Sequence, residues 1–112
     1  VPNYAGSTIR ITAVVKDYDG KPVTTAQSAT VTLLDDAGNW VFQNQPLVYD
    51  PSGVNADGTT GYWYYDWTTS TSDAGSFQAK ATFTGTGYEV YSYGRVSVSP
   101  PKVVETGIQG HP

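Results

Sequence analysis

The sequence predicts an all-β domain, a sandwich or a barrel of seven to eight short antiparallel strands. Three observations carry that prediction. Apolar and polar residues alternate with the strand period, with Ile9, Ile11, Ala13 and Val15 set against Thr8, Arg10 and Thr12, and Phe77, Ala79, Ala81 and Phe83 against Gln78, Lys80 and Thr82. No segment repeats with the period of a helix. Turn residues (Asp, Gly, Pro, Asn) punctuate the chain at short, regular intervals, as strand-rich domains require.

The composition agrees. At 112 residues the chain suits one domain with one core, and its three Trp, nine Tyr and three Phe beside 14% charged residues favour pleated, half-buried surfaces over disorder. A net charge of −4 with six scattered Lys and Arg argues against a nucleic-acid partner, which needs a clustered basic surface. No window approaches the ~20 apolar residues of a membrane-spanning helix. The chain has no Cys, so disulfides and thiolate metal sites are excluded, and it has no Asn-x-Ser/Thr sequon. It also has no Met, from which we expect it to be part of a longer polypeptide.

Taken in order, Val1 to Ala5 reads as a short edge strand, where Pro2 is tolerated because an edge need not donate every hydrogen bond. Ser7 to Lys16 is the clearest early strand and ends in the turn Asp17-Tyr18-Asp19-Gly20-Lys21-Pro22. Ala29, Val31 and Leu33 alternate before a second turn over 35–39. Trp40 to Gln43 and Leu47 to Tyr49 read as shorter strands divided near Pro46, and Asp50 to Thr60 as a long exposed loop. Gly61 to Phe83 then gives two strands joined by a hairpin-like step at Ser72, Asp73 and Gly75, the first of which presents Trp63, Tyr65 and Trp67 on its bulky, inward face. In the last strand Val90, Val96 and Val98 share a parity with Gly94, while Tyr91 and Tyr93 take the other, and Gly94 is a candidate bulge. Ser99-Pro100-Pro101 stops the ladder. The domain is therefore expected over 1–99, and a linker or tail over 100–112.

Resemblance separates sandwich from barrel. Asp73-Ala74-Gly75-Ser76-Phe77-Gln78-Ala79 resembles the D-x-G-x-Y-x-C signature opening strand F of immunoglobulin domains, with Phe77 at the Tyr position and Ala79 at the Cys position. Ile9 to Val23, Ala29 to Asn39 and Gly61 to Phe83 resemble segments of the bacterial and archaeal immunoglobulin-like (Big, invasin-type) domains of cell-surface proteins. The resemblance runs from Ile9 to about Val98. It implies an immunoglobulin-like β-sandwich in which Ala79, packed with Ala13 or Ile11, replaces the inter-sheet disulfide, and whose first and last strands end at opposite poles. It also implies a non-catalytic spacer or adhesion unit, extracellular or in the cell envelope, whose partners are neighbouring domains of the same chain and a glycan or host-surface protein.

Tyr62, Tyr64, Tyr91 and Tyr93 are the candidate ligand platform, since outward rings on a sheet stack against sugars; an ordinary cross-strand tyrosine ladder is the competing reading. Asp17, Asp19, Asp35, Asp36, Asp50, Asp57 and Asp73 fall in turns. Their spacing matches no calcium loop, so they are expected to form turns; no cofactor is expected, with a calcium ion at a domain junction left as an alternative that no specific motif supports. The single histidine, His111, lies in the expected tail, so no Ser-His-Asp triad or histidine metal cluster can be assembled and no enzyme is expected. Two other roles stay open: an accessory carbohydrate-binding module of a secreted glycoside hydrolase, and a virion decoration domain.

Overall fold

The computed structural model describes residues 3–17, 19–21 and 23–101. The expected tail lies outside the described residues from Lys102 onward, as do Val1 and Pro2 of the expected first strand. Among the described residues seven strands form: β1 (Thr8–Ala13), β2 (Ser28–Asp35), β3 (Trp40–Pro46), β4 (Val48–Val54), β5 (Thr60–Thr68), β6 (Gly75–Gly85) and β7 (Tyr88–Val98). They make a three-stranded sheet in the order β1-β5-β4 and a four-stranded sheet in the order β3-β2-β6-β7, each antiparallel throughout.

The alternation read from the sequence decides what lies between the sheets. From β1 come Ile9 and Ile11, from β2 Val31 and Leu33, from β5 Trp63 and Trp67, and from β6 Phe77, Ala79, Ala81 and Phe83, all buried. Aromatic rings cross the interface: Trp67 meets Phe77 with ring centres 5.2 Å apart and Phe42 at 6.0 Å, and Trp63 meets Phe83 at 5.8 Å. These edge-on pairs are the favoured geometry for packed rings. The indole N–H of Trp63 donates to the Val23 carbonyl at 3.0 Å, so burial leaves it no unmet polar group. Tyr65 is half-buried and packs on Phe42 at 5.0 Å.

Three turns share one construction. In 17–21, 35–39 and 55–59 the first residue bonds the fifth: the N–H of Asp17, Asp35 and Asn55 donates to the carbonyl of Lys21, Asn39 and Thr59 respectively. Glycine takes the fourth position, with φ of 83° at Gly38 and 86° at Gly58, a conformation other residues adopt only with strain. The carboxylates of Asp17 and Asp35 accept two backbone N–H bonds each inside their turns, and that of Asp57 accepts from the Thr59 N–H and hydroxyl. The acidic residues thus fold the turns.

The structure corrects four expectations. The strands of Gly61 to Phe83 are not a hairpin: β5 lies in one sheet and β6 in the other. Both carry large inward faces, and set in opposite sheets these faces meet across the core and are buried together. The 50–60 segment is not a loop, because β4 runs on to Val54 and only 55–59 turns. Its alternation is hidden by a register irregularity between Asp50 and Val54, where the Asp50 carboxylate takes the N–H and hydroxyl of Ser52. Gly94 is no bulge, since β7 pairs with β6 in unbroken register from Tyr88 to Val98. Finally, the chain's entry and the end of β7 lie side by side: Tyr4 bridges Ser99 in parallel, so the entering segment and the departing strand run in the same direction.

Gly53 sits within the β4 irregularity because the ring of Tyr62 covers it. A Cβ there would run into the Tyr62 ring. Gly53→Ala is expected to cost about 1–3 kcal/mol through overpacking, read from urea unfolding, and Tyr62→Ala in the same background is expected to recover part of that loss.

Candidate interaction surfaces

The four candidate tyrosines do not come together as one group, although Tyr62 and Tyr64 meet edge-on with ring centres 6.2 Å apart. Tyr62 and Tyr64 stand on the outer face of the three-stranded sheet, since their neighbours Trp63 and Trp67 are the inward residues of β5. Tyr91 and Tyr93 stand on the outer face of the four-stranded sheet, opposite Thr82 and Lys80 of β6. The two pairs therefore occupy opposite sides of the sandwich, and no single ligand spans both.

On the three-stranded sheet the tyrosines are already engaged. The guanidinium of Arg10 lies 3.9 Å from the Tyr64 ring centre and makes a two-pronged bond to Asp66, at 2.8 Å from Nε and 3.0 Å from Nη2. Its Nη1 donates to the Tyr62 hydroxyl at 3.3 Å and lies 3.8 Å from Asp50. These contacts raise the Arg10 pKa above its ordinary value, the Asp66 bond foremost. Asp50 is held below the usual carboxylate range, mainly by the Ser52 hydroxyl and N–H. One ring face of Tyr64 is thus covered by Arg10, and Tyr62 lies over Gly53. The network serves the sheet's own cohesion. The preceding sequence signal was the charge-bearing outer parity of β5, ending at Asp66, opposite Arg10 in register.

On the four-stranded sheet the pair is open. Tyr91 is 50% and Tyr93 62% exposed, and the Lys80 ammonium lies 4.3 Å from the Tyr91 ring centre and 5.9 Å from that of Tyr93. Glu89, bonded to the Tyr91 hydroxyl, pushes that phenol's pKa up. Trp40 is also exposed, at 65%, opposite Leu34 on β3 and β2. Sequence alternation does not single it out, because register shifts between β2 and β3 move it off the parity of Phe42.

A second feature was not legible in the sequence. Where β1 and β7 bound their sheets, the sandwich is open along a cleft of about 570 Å3, floored by Ile9, Ile11, Ala79, Ala81, Gly94 and Val96. The cause is strand number. The three-stranded sheet stops at β1, and the inward side of β7 at Ser92 and Gly94 is left exposed. Ile11 and Ala79 are both buried and Ala13 packs against the same core, and all three also line the cleft.

Among the described residues no group of three or more His, Asp or Glu converges as a metal site would need. No described helix is long and apolar enough to cross a membrane. Comparison with protein-family models, with curated proteins and with solved structures found no match to the chain.

Proposed function

We propose that this domain is a non-catalytic, immunoglobulin-like module of a prokaryotic cell-surface or secreted protein, acting as a structural spacer between neighbouring domains. The observation that carries the reading is strand order. The order β1-β5-β4 beside β3-β2-β6-β7 corresponds to strands B, E, D and C′, C, F, G of an immunoglobulin domain, with β6 as strand F, where the Asp73 to Ala79 motif falls. Pro100-Pro101, directly after β7, suits a stiff junction. Two copies joined through their natural ends are expected to scatter X-rays as an extended pair. A compact or freely tumbling pair counts against a spacer.

The carbohydrate-binding alternative is favoured by one observation, the open Tyr91, Tyr93 and Lys80 surface. Affinity electrophoresis on insoluble polysaccharides, with a glycan array, separates the readings. No retardation is expected from the spacer. Retardation that disappears in Tyr91→Ala/Tyr93→Ala and survives Tyr62→Ala/Tyr64→Ala overturns the spacer-only reading and places the glycan on β7.

A further inference from the structure

Four strands bound the two sheets: β1 and β4 in one, β3 and β7 in the other. An unpaired edge is a template for another strand, and proteins blunt edges with proline, bulges, charge or shortness. β3 has two register irregularities and Pro46, and β4 has one beside Pro51. β1 is only six residues long and carries Arg10, tied to Asp66. β7 uses almost none of these devices. Its eleven residues contain no Pro or Lys, keep unbroken register with β6, and hold four of the exposed large hydrophobic residues: Tyr88, Val90, Tyr91 and Tyr93.

The hydrogen-bonding groups on that edge can be assigned. The Ser99 N–H donates to the Asn3 carbonyl at 2.7 Å, and the Ser99 carbonyl accepts from the Ala5 N–H at 2.9 Å, on the side away from β6. Alternation along a strand then directs the N–H and C=O of Ser97, Arg95, Tyr93, Tyr91 and Glu89 to the same free edge.

The edge is also complementary to itself. We propose that β7 pairs antiparallel with β7 of a second copy, the partner, about a two-fold axis at Ser92, so that the two four-stranded sheets become continuous. In this register Glu89 stands opposite the partner's Arg95, Tyr91 opposite the partner's Tyr93, and each pair exchanges both backbone bonds. Opposite charges therefore meet twice. On the inward side Val90 stands opposite the partner's Gly94, and Tyr88 opposite the partner's Val96. Among the described residues nothing but its own chain neighbours lies within 4 Å of where a Gly94 Cβ would be, so the partner's Val90 finds room there, above the cleft floored by Ile9 and Ile11. Other registers lose this match: a slip of one residue inverts the faces, and a slip of two separates Glu89 from arginine. The dimer lines up the outward Tyr91 and Tyr93 of both copies across the joined edge. It goes beyond the spacer reading and does not depend on it.

Sedimentation velocity up to about 1 mM tests the proposal, and a concentration-dependent monomer–dimer equilibrium is expected. Glu89→Arg and Arg95→Glu each set like charges opposite one another twice per dimer and should raise Kd about tenfold or more, whereas the double reversal should restore it. Within one chain these residues sit at opposite ends of a seven-residue stretch, so only pairing between copies explains rescue. Tyr93→Pro deletes an N–H on the free edge alone and should give a monomer with an unchanged thermal transition. Ser92→Cys, in a chain without other cysteines, should form a disulfide-linked dimer under mild oxidation, and Ser97→Cys should not. A chain that stays monomeric throughout, a double reversal no tighter than its single variants, or equal cross-linking at both positions overturns the proposal.

Discussion

Phe83→Ala is expected to lower the free energy of unfolding by about 3–5 kcal/mol, a large share of the stability of a domain this size. Phe83 has no exposed surface, pairs with Ala29 in register and meets the Trp63 ring edge-on between the sheets. Truncation removes the ring from the core and leaves a cavity that Trp63 cannot close, because its indole is tied to the Val23 carbonyl. Urea denaturation followed by tryptophan fluorescence measures the loss. Tyr93→Ala, on the exposed side of β7, is the control and is expected within about 0.5 kcal/mol of the parent. A larger loss from Tyr93→Ala than from Phe83→Ala would mean that the inward and outward faces have been exchanged.

Thr69→Val is expected to cost about 1–3 kcal/mol although it keeps the side chain's shape. Thr69 is the one buried polar residue of the described chain, placed where the strand leaves β5 to cross into the other sheet. Its hydroxyl donates to the Ser7 carbonyl and accepts from the Gly6 N–H at 2.9 Å, fastening the entry to β1 against the crossing. Valine leaves both backbone groups without that partner. Thr69→Ser keeps the bonds and is expected to recover most of the difference, an outcome that separates lost hydrogen bonding from lost packing. Hydrogen exchange should accelerate first at Gly6, whose N–H is freed.

The inward faces of β1, β5 and β6 were legible because a strand with one wet face writes its burial as alternation, seen in Ile9 and Ile11, Trp63 and Trp67, and Phe77 to Phe83. The turns at 35–39 and 17–21 were legible because Asp accepts from its own following N–H groups and Gly supplies the positive φ. The 50–60 stretch misled for a local reason. A bulge breaks the period, and Pro51, Ser52 and Gly53 look like loop residues although they continue an edge strand. The candidate platform was legible only residue by residue. Parity places Tyr62 and Tyr64 outward on β5, and Tyr91 and Tyr93 outward on β7, but parity carries no information about which sheet a strand joins.

Local backbone chemistry and a period of two were enough to establish the strand class, most turns and the inward side chains of β1, β2, β5 and β6. It took the pairing of the sheets to set β5 and β6 face to face, to divide the tyrosines between opposite surfaces, and to leave a cleft between β1 and β7 beside an edge that, among the described residues, is bonded only at Ser99. Those features depend on pairing between residues distant in the chain, where burial of whole faces outweighs any preference written in neighbouring residues.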